Sequence, residues 1–136
     1  MNTVFIREAF TTEELSQISW VWNENEDNRW NGRSVDGGNA TRDRVFALSI
    51  KEAQDYFKNR MDRRAAVTSY AEERDGYKSD KYKTMGGSAS GWWWLRSPGF
   101  GSNYAASVYT VGEVGEHGHY VVSTGASVRP ALWLNL

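Results

Sequence analysis

The spacing of apolar positions changes near residue 91, and the change divides this chain into two kinds of predicted structure. Before that point, short helical patterns alternate with polar stretches. Phe10-Thr11-Thr12-Glu13-Glu14-Leu15 is a compact helix start. Thr11 caps it, Glu14 reaches back as the capping-box partner, and Phe10 packs on Leu15 as a hydrophobic staple. Residues 23–39 are rich in Asn, Asp, Gly and Arg and read as a long surface loop anchored by Trp30. Residues 44–48 read as a short strand. Ser49-Ile50-Lys51-Glu52 repeats the capping box and opens a helix carrying Ala53, Tyr56 and Phe57 on one face. Thr68 caps a third short helix over 69–74, and residues 77–91 form another polar loop.

Beyond residue 91 helical periodicity disappears and strand signals take over. Strands are predicted over 92–96, 106–111, 119–122 and 128–134, with Gly112, Gly115 and Gly118 supplying turns. Helices followed by an antiparallel sheet make an α+β fold in one domain spanning 1–136, with no internal repeat. Side chains alternate along a strand, so Trp93 faces opposite to Trp92 and Trp94. The favoured reading covers both sheet faces and puts all three indoles in the core; the alternative exposes one as a ligand platform. Arg96 and Arg129 sit beside proline motifs at strand ends. There a planar guanidinium bridges diverging carbonyls, a structural role preferred here over anion binding.

Composition narrows the function classes. The seven tryptophans, Trp133 among them, imply a core or interface with fixed partners for their N–H groups. Net charge is −1 and no basic run exists, so nucleic acid and anionic membrane are not expected partners. The absence of cysteine removes disulfides and thiolate chemistry. Arg7 and Glu8 lie where a signal peptide needs an apolar core, and no segment reaches membrane-spanning length. The chain reads as soluble, with its compartment unassigned.

Residues 100–128 stand apart, because Glu113 and Glu116 are their only formal charges. A segment built of Tyr, Ser, Gly and Asn resembles an antibody combining site, where rigid rings supply contact area and small polar groups adapt. His117 and His119, spaced to project from one strand face, would need Glu113 or Glu116 to make a metal site. The segment is broken by glycines and no upstream motif completes a ligand shell, so neither metal nor cofactor is expected. Gly-x-Ser-x-Gly, phosphate-loop and His-Glu-x-x-His patterns are all missing, and the chain is expected not to be an enzyme.

Three further blocks carry a resemblance. They are Asp43-Arg44-Val45-Phe46-Ala47-Leu48-Ser49 with Glu52-Ala53 and Tyr56-Phe57, then Trp93-Trp94-Leu95-Arg96-Ser97-Pro98-Gly99, then Val128-Arg129-Pro130-Ala131-Leu132-Trp133-Leu134-Asn135. With Ala105-Ala106, Val108 and Gly112, these resemble an uncharacterised bacterial and phage domain family over roughly positions 5 to 136. That family is similar to the C-type lectin-like fold of formylglycine-generating proteins and of the variable proteins of diversity-generating retroelements. The resemblance implies helices packed on one small twisted antiparallel sheet. Members usually continue upstream with a helix containing Trp and Leu, so this chain is expected to be a minimal version or a fragment. The lack of cysteine excludes the formylglycine-generating activity.

In such variable proteins, adenine-containing codons are randomised between fixed motifs. An Asn codon changed at its adenines never gives Lys, Glu, Gln, Met or Trp. Phe100, Ser102, Asn103, Tyr104, Ser107, Tyr109, Thr110, Val111, His117, His119, Tyr120, Ser123 and Thr124 all belong to the permitted set. They are the expected contacts to a protein or cell-surface ligand, held by a scaffold of Trp92, Trp93, Trp94, Arg96, Arg129 and Trp133. Two other readings stay open: an assembly module that uses the same segment as a homo-oligomer interface, and a carbohydrate-binding module.

Overall fold

A computed structural model describes residues 3–135. It overturns the α+β expectation, and with it the C-type lectin-like arrangement of helices on a single sheet. More residues lie in strands than in helices, and the strands form four small antiparallel sheets. Five helices are present among the described residues: α1 (Thr3–Ala9), α2 (Thr12–Gln17), α3 (Ile50–Tyr56), α4 (Arg60–Arg63) and α5 (Ser69–Glu72). None exceeds seven residues, too short for a continuous apolar stripe that could cover a sheet. Of these, α3 makes the main helix contact with the central sheet.

Four of the missed strands lie in the two stretches read as polar loops, and three more lie beside or between them. Residues 23–39 hold β2 (Asn28–Trp30) and β3 (Arg33–Val35), and β1 (Val21–Asn23) pairs with β4 (Thr41–Asp43). Asn31 and Gly32 join β2 to β3 with φ of 51° and 78°, the left-handed pair that a two-residue hairpin turn requires. Residues 77–91 likewise contain β6 (Lys78–Lys83) and β7 (Ala89–Gly91), which form a sheet with β5 (Ala65–Ala66) in the order β5-β7-β6. Conversely, residues 44–48 and 128–134 are not regular strands. Phe46 and Ala131 form an isolated bridge, exchanging N–H···O bonds of 3.0 and 2.8 Å, and Leu134 bridges Ile18. Pro130 has no N–H to extend that ladder.

The predicted caps are all present. Thr11 Oγ1 accepts from Glu14 N and Ser49 Oγ from Glu52 N, each with the reciprocal carboxylate bond, and Thr68 caps α5. None of the helices is long and apolar enough to cross a membrane among the described residues.

The central sheet, in the order β10-β9-β8, joins β8 (Trp93–Pro98), β9 (Tyr104–Val108) and β10 (Val114–Tyr120). One face builds the core: Trp93, Leu95, Ala106 and Val108 pack with Phe46, Leu48 and Ala53. Trp93 is 1% exposed, and its indole N–H donates to the Arg63 carbonyl at 3.1 Å. Trp92 and Trp94 do share the opposite face, as alternation requires, with ring centroids 5.3 Å apart. Both remain half-buried, so the core takes one of the three indoles and not all of them.

The N-terminus of α3 is fastened to β8 through Glu52. Its carboxylate accepts from Ser49 N at 2.8 Å and receives both terminal nitrogens of Arg96, one of them at 3.0 Å. Arg96 also donates to the carbonyls of Ala47 and Glu24 and to Asn25 Oδ1. That is the carbonyl-bridging role expected of it. Burial alone would raise the Glu52 pKa, but the Arg96 and Ser49 hydrogen bonds outweigh it and hold the carboxyl below 4.5. The stability this contributes is complete above about pH 4.5 and is lost as pH falls through the lower folded-state value. Glu52→Gln should therefore cost about 2–4 kcal/mol at neutral pH, because it strands a half-buried guanidinium. Guanidinium melts from pH 7 down to 3 should show the gap between variant and wild type narrowing at the acid end; a constant gap would mean that the carboxylate charge is irrelevant.

Candidate binding surface

Five rings gather at one end of the central sheet, although three separate stretches of chain supply them. Phe100 follows β8, Tyr104 opens β9, His117 and Tyr120 belong to β10, and Trp30 closes β2. Phe100 stacks on His117 with centroids 4.3 Å apart and planes within 10°. Trp30 meets the His117 imidazole edge-on at 4.8 Å, and Tyr104 meets Phe100 at 4.3 Å. Tyr104 and Tyr120 lie 4.2 Å apart. Such tilted and stacked pairs each add about 0.5–1.5 kcal/mol beyond area burial, enough to fix the rings as a unit. His117 is exposed, and Tyr120 is 52% exposed.

The β2–β3 hairpin reaches this place through Asn28. Its buried side-chain amide donates to the carbonyls of Pro98, at 2.9 Å, and Glu116, at 2.8 Å. A buried amide with two fixed acceptors sets position as well as satisfying itself. Trp30 is thus a surface residue that the anchor reading only partly anticipated. Its Asn31-Gly32 turn is the sequence signal that would have located it.

The two histidines do not share a face. Pairing runs Gly115 to Ser107, then His119 to Ala105, so β10 carries two extra residues between those pairs. Gly118, at φ 76°, turns the backbone inside that bulge. His117 consequently joins the Phe100 cluster, while His119 packs on Trp92, at 4.6 Å, and Tyr109, at 5.5 Å. Gly115 and Gly118 lie within the strand and make no turn between strands; only Gly112 does, its N–H donating to the Tyr109 carbonyl at 2.8 Å. With the imidazoles in different clusters, no group of three metal-ligating side chains assembles among the described residues.

The remaining expected contacts divide by accessibility. Ser102, Asn103 and Thr124 are exposed, and Ser123 is half-buried. Ser107 is fully buried, without a partner for its hydroxyl, and is closed to any ligand. Tyr109 is held over Gly115, where an added Cβ would stand 2.4 Å from its ring. Thr110 and Val111 are half-buried in the β9–β10 turn, which faces α4: Arg64 donates to the Val111 carbonyl and Arg60 pairs with Glu113 at 2.9 Å.

Two scaffold assignments also shift. Trp133 is 51% exposed and meets Tyr56, itself 51% exposed, edge-on at 6.0 Å. Tyr56 shares a surface cleft with Trp22, 69% exposed, so these form a second aromatic strip that includes none of residues 100–128. Arg129 lies between Phe57 and Trp93, at 4.9 and 5.0 Å, but its one hydrogen bond among the described residues is to the Arg63 carbonyl at 3.3 Å.

What this architecture defines is a small β-rich domain with a surface ring cluster. Residues 1–136 match the family described as a domain of unknown function, DUF6273, and the chain belongs to that family. No curated protein and no solved structure matches it.

The hydrogen bond to Tyr120 raises the Tyr104 pKa to about 12. An ultraviolet titration of phenolate formation should show one tyrosine ionising late, and Tyr120→Phe should return it towards 10.0. A second expectation concerns Gly118, where an added Cβ would stand 2.3 Å from the Ala105 carbonyl oxygen at a φ that side chains rarely adopt. Gly118→Ala should destabilise the fold by roughly 2 kcal/mol or more and should shift the ring resonances of both His117 and His119. An unchanged melting curve would remove the bulge as the device that separates them.

Proposed function

We propose that this domain is a non-enzymatic recognition module that binds a protein or cell-surface ligand through the ring cluster. The observation that carries this reading is the exposure of Tyr120 and His117 on a foundation of Phe100, Tyr104 and Trp30, outside a core that is already complete. Rings with few rotatable bonds that are already packed lose little entropy when a partner docks on them, which favours them as anchors. Ser102 and Asn103, in the adjoining exposed turn, supply adaptable hydrogen bonds. The absence of a catalytic motif in the sequence agrees with binding rather than turnover.

In its sharper form, the chain is the variable protein of a diversity-generating retroelement. Variation would then concentrate at accessible positions such as Ser102, Asn103, His117 and Tyr120. Buried Ser107, and Tyr109 packed over Gly115, would stay fixed. Deep sequencing of the encoding locus should find substitutions at adenines in the first group of codons and silence in the second. Uniform variation across both groups would reject the sharper form.

The binding reading itself is tested by selecting a random peptide display library on the immobilised protein. Peptides enriched on the wild type should be lost from the double variant His117→Ala, Tyr120→Ala, with an unchanged circular dichroism spectrum. Equal retention by that variant would overturn the reading.

A second reading, assembly into a homo-oligomer, draws support from the Trp22, Tyr56 and Trp133 strip, since exposed apolar patches mark interaction sites. Light scattering should then report an oligomer that Trp22→Ser dissociates; a monomer at all concentrations would discard it.

A further inference from the structure

Away from the ring cluster, two neighbouring grooves are lined in common by residues of the stretches 66–68 and 127–130. The first, of about 550 Å³, is lined by Phe5, Tyr70, Ala71, Val128 and Pro130, with Arg74 as its charged residue. The second, of about 430 Å³, is lined by Trp92, Trp93, Val67 and Thr84, with Arg64 and Arg129 as its charged residues. Ala66, Thr68, Ser127, Val128 and Pro130 border both, so the grooves adjoin along a shared wall. Each volume falls in the range of small-molecule sites.

The charge pattern is one-sided. Three arginines and no carboxylate line the two grooves, in a chain whose 16 basic and 17 acidic residues nearly balance. Among the described residues neither Arg64 nor Arg129 has an ion-pair partner; their hydrogen bonds go to the carbonyls of Val111, Lys83 and Arg63 and to the Met61 sulfur. The contrast with Arg96 is informative. Arg96 and Arg129 each precede a proline motif, yet Arg96 is saturated by Glu52, two carbonyls and Asn25, whereas Arg129 uses one acceptor. A half-buried guanidinium pressed between Phe57 and Trp93 carries donors that carbonyls leave unused, and a planar fork suits a carboxylate.

We propose that the adjoining grooves form a binding site for an amphiphilic organic anion, whose carboxylate pairs with Arg129 and Arg64 while its hydrocarbon body crosses the exposed rim at Val128 and Pro130 and lies along Phe5 and Tyr70. The site is separate from the ring cluster, and its occupancy does not depend on that surface. Each half of the ligand meets matching chemistry: apolar walls exclude water from the chain, and unpaired cations hold the head group.

The test uses the full chain and two probes of equal length, octanoate and octanol, titrated by tryptophan fluorescence and calorimetry. Octanoate should bind saturably, and octanol about tenfold more weakly or worse, as expected for the loss of a charge-assisted bond. Arg129→Gln should reproduce that loss. Because it removes a packed side chain, Val128→Glu serves as the second variant: it places a carboxylate on the exposed shared wall and should abolish octanoate binding with an unchanged circular dichroism spectrum. Tyr120→Ala should leave octanoate affinity unaltered. The proposal is overturned by any of four results: no saturable octanoate binding, equal affinity for octanol, full binding to Val128→Glu, or a loss on Tyr120→Ala.

Discussion

The Glu52 carboxylate is the point on which the rest of the molecule turns. It closes the capping box of α3 and, through Arg96, ties that helix to β8 and to the carbonyls of Glu24 and Ala47. Three segments distant in sequence, around residues 24–25, 47–52 and 96, therefore converge on one half-buried ion pair. Neither partner tolerates isolation, since an unpaired charge here would keep its desolvation cost without the Coulombic return. Helices this short cannot organise a domain by burying a face, so a directional polar link takes that role. The Ile50 N–H, donating to Ser97 Oγ at 3.0 Å, and the Arg96 N–H, donating to the Leu48 carbonyl at 2.9 Å, extend the same clamp along the strand.

With β8 fixed, the periphery is placed by small polar side chains and backbone bends rather than by hydrophobic layers. Asn28 docks the β2–β3 hairpin on the carbonyls at the sheet's end, and Gly118 sends two neighbouring histidines into different clusters. The result is a surface whose aromatic groups were brought together by hydrogen-bonding devices. That explains how so many rings remain accessible in a chain with a small core.

How much of this was legible depended on the range of the interaction involved. Local chemistry read well: both capping boxes, the Thr68 cap and the alternation of the three tryptophans follow from neighbours a few residues apart. The architecture did not. The residues between 23 and 39 look like loop because their strands are three residues long and polar, and composition alone leaves the Asn31-Gly32 hairpin turn unread. The segment 128–134 looks like a strand from its apolar alternation, yet its partners are scattered bridges that periodicity cannot foresee. Ser107 passed as a surface contact on residue type alone, because burial depends on which face β9 presents. His119 was grouped with His117 because a strand of period two was assumed across a bulge.

Trp92 sits by itself between the end of β7 and the start of β8, so the two three-stranded sheets are consecutive along one ribbon but paired separately. The alternation of burial runs on through Trp92, but the two ladders on either side of it are bonded separately. A residue gained or lost in the β6–β7 hairpin shifts pairing within its own sheet and leaves the inward and outward alternation of β8 untouched. A change in the length of that hairpin therefore leaves the register of the core strand as it is. Length variation among family members should be tolerated there and punished within the strands that follow.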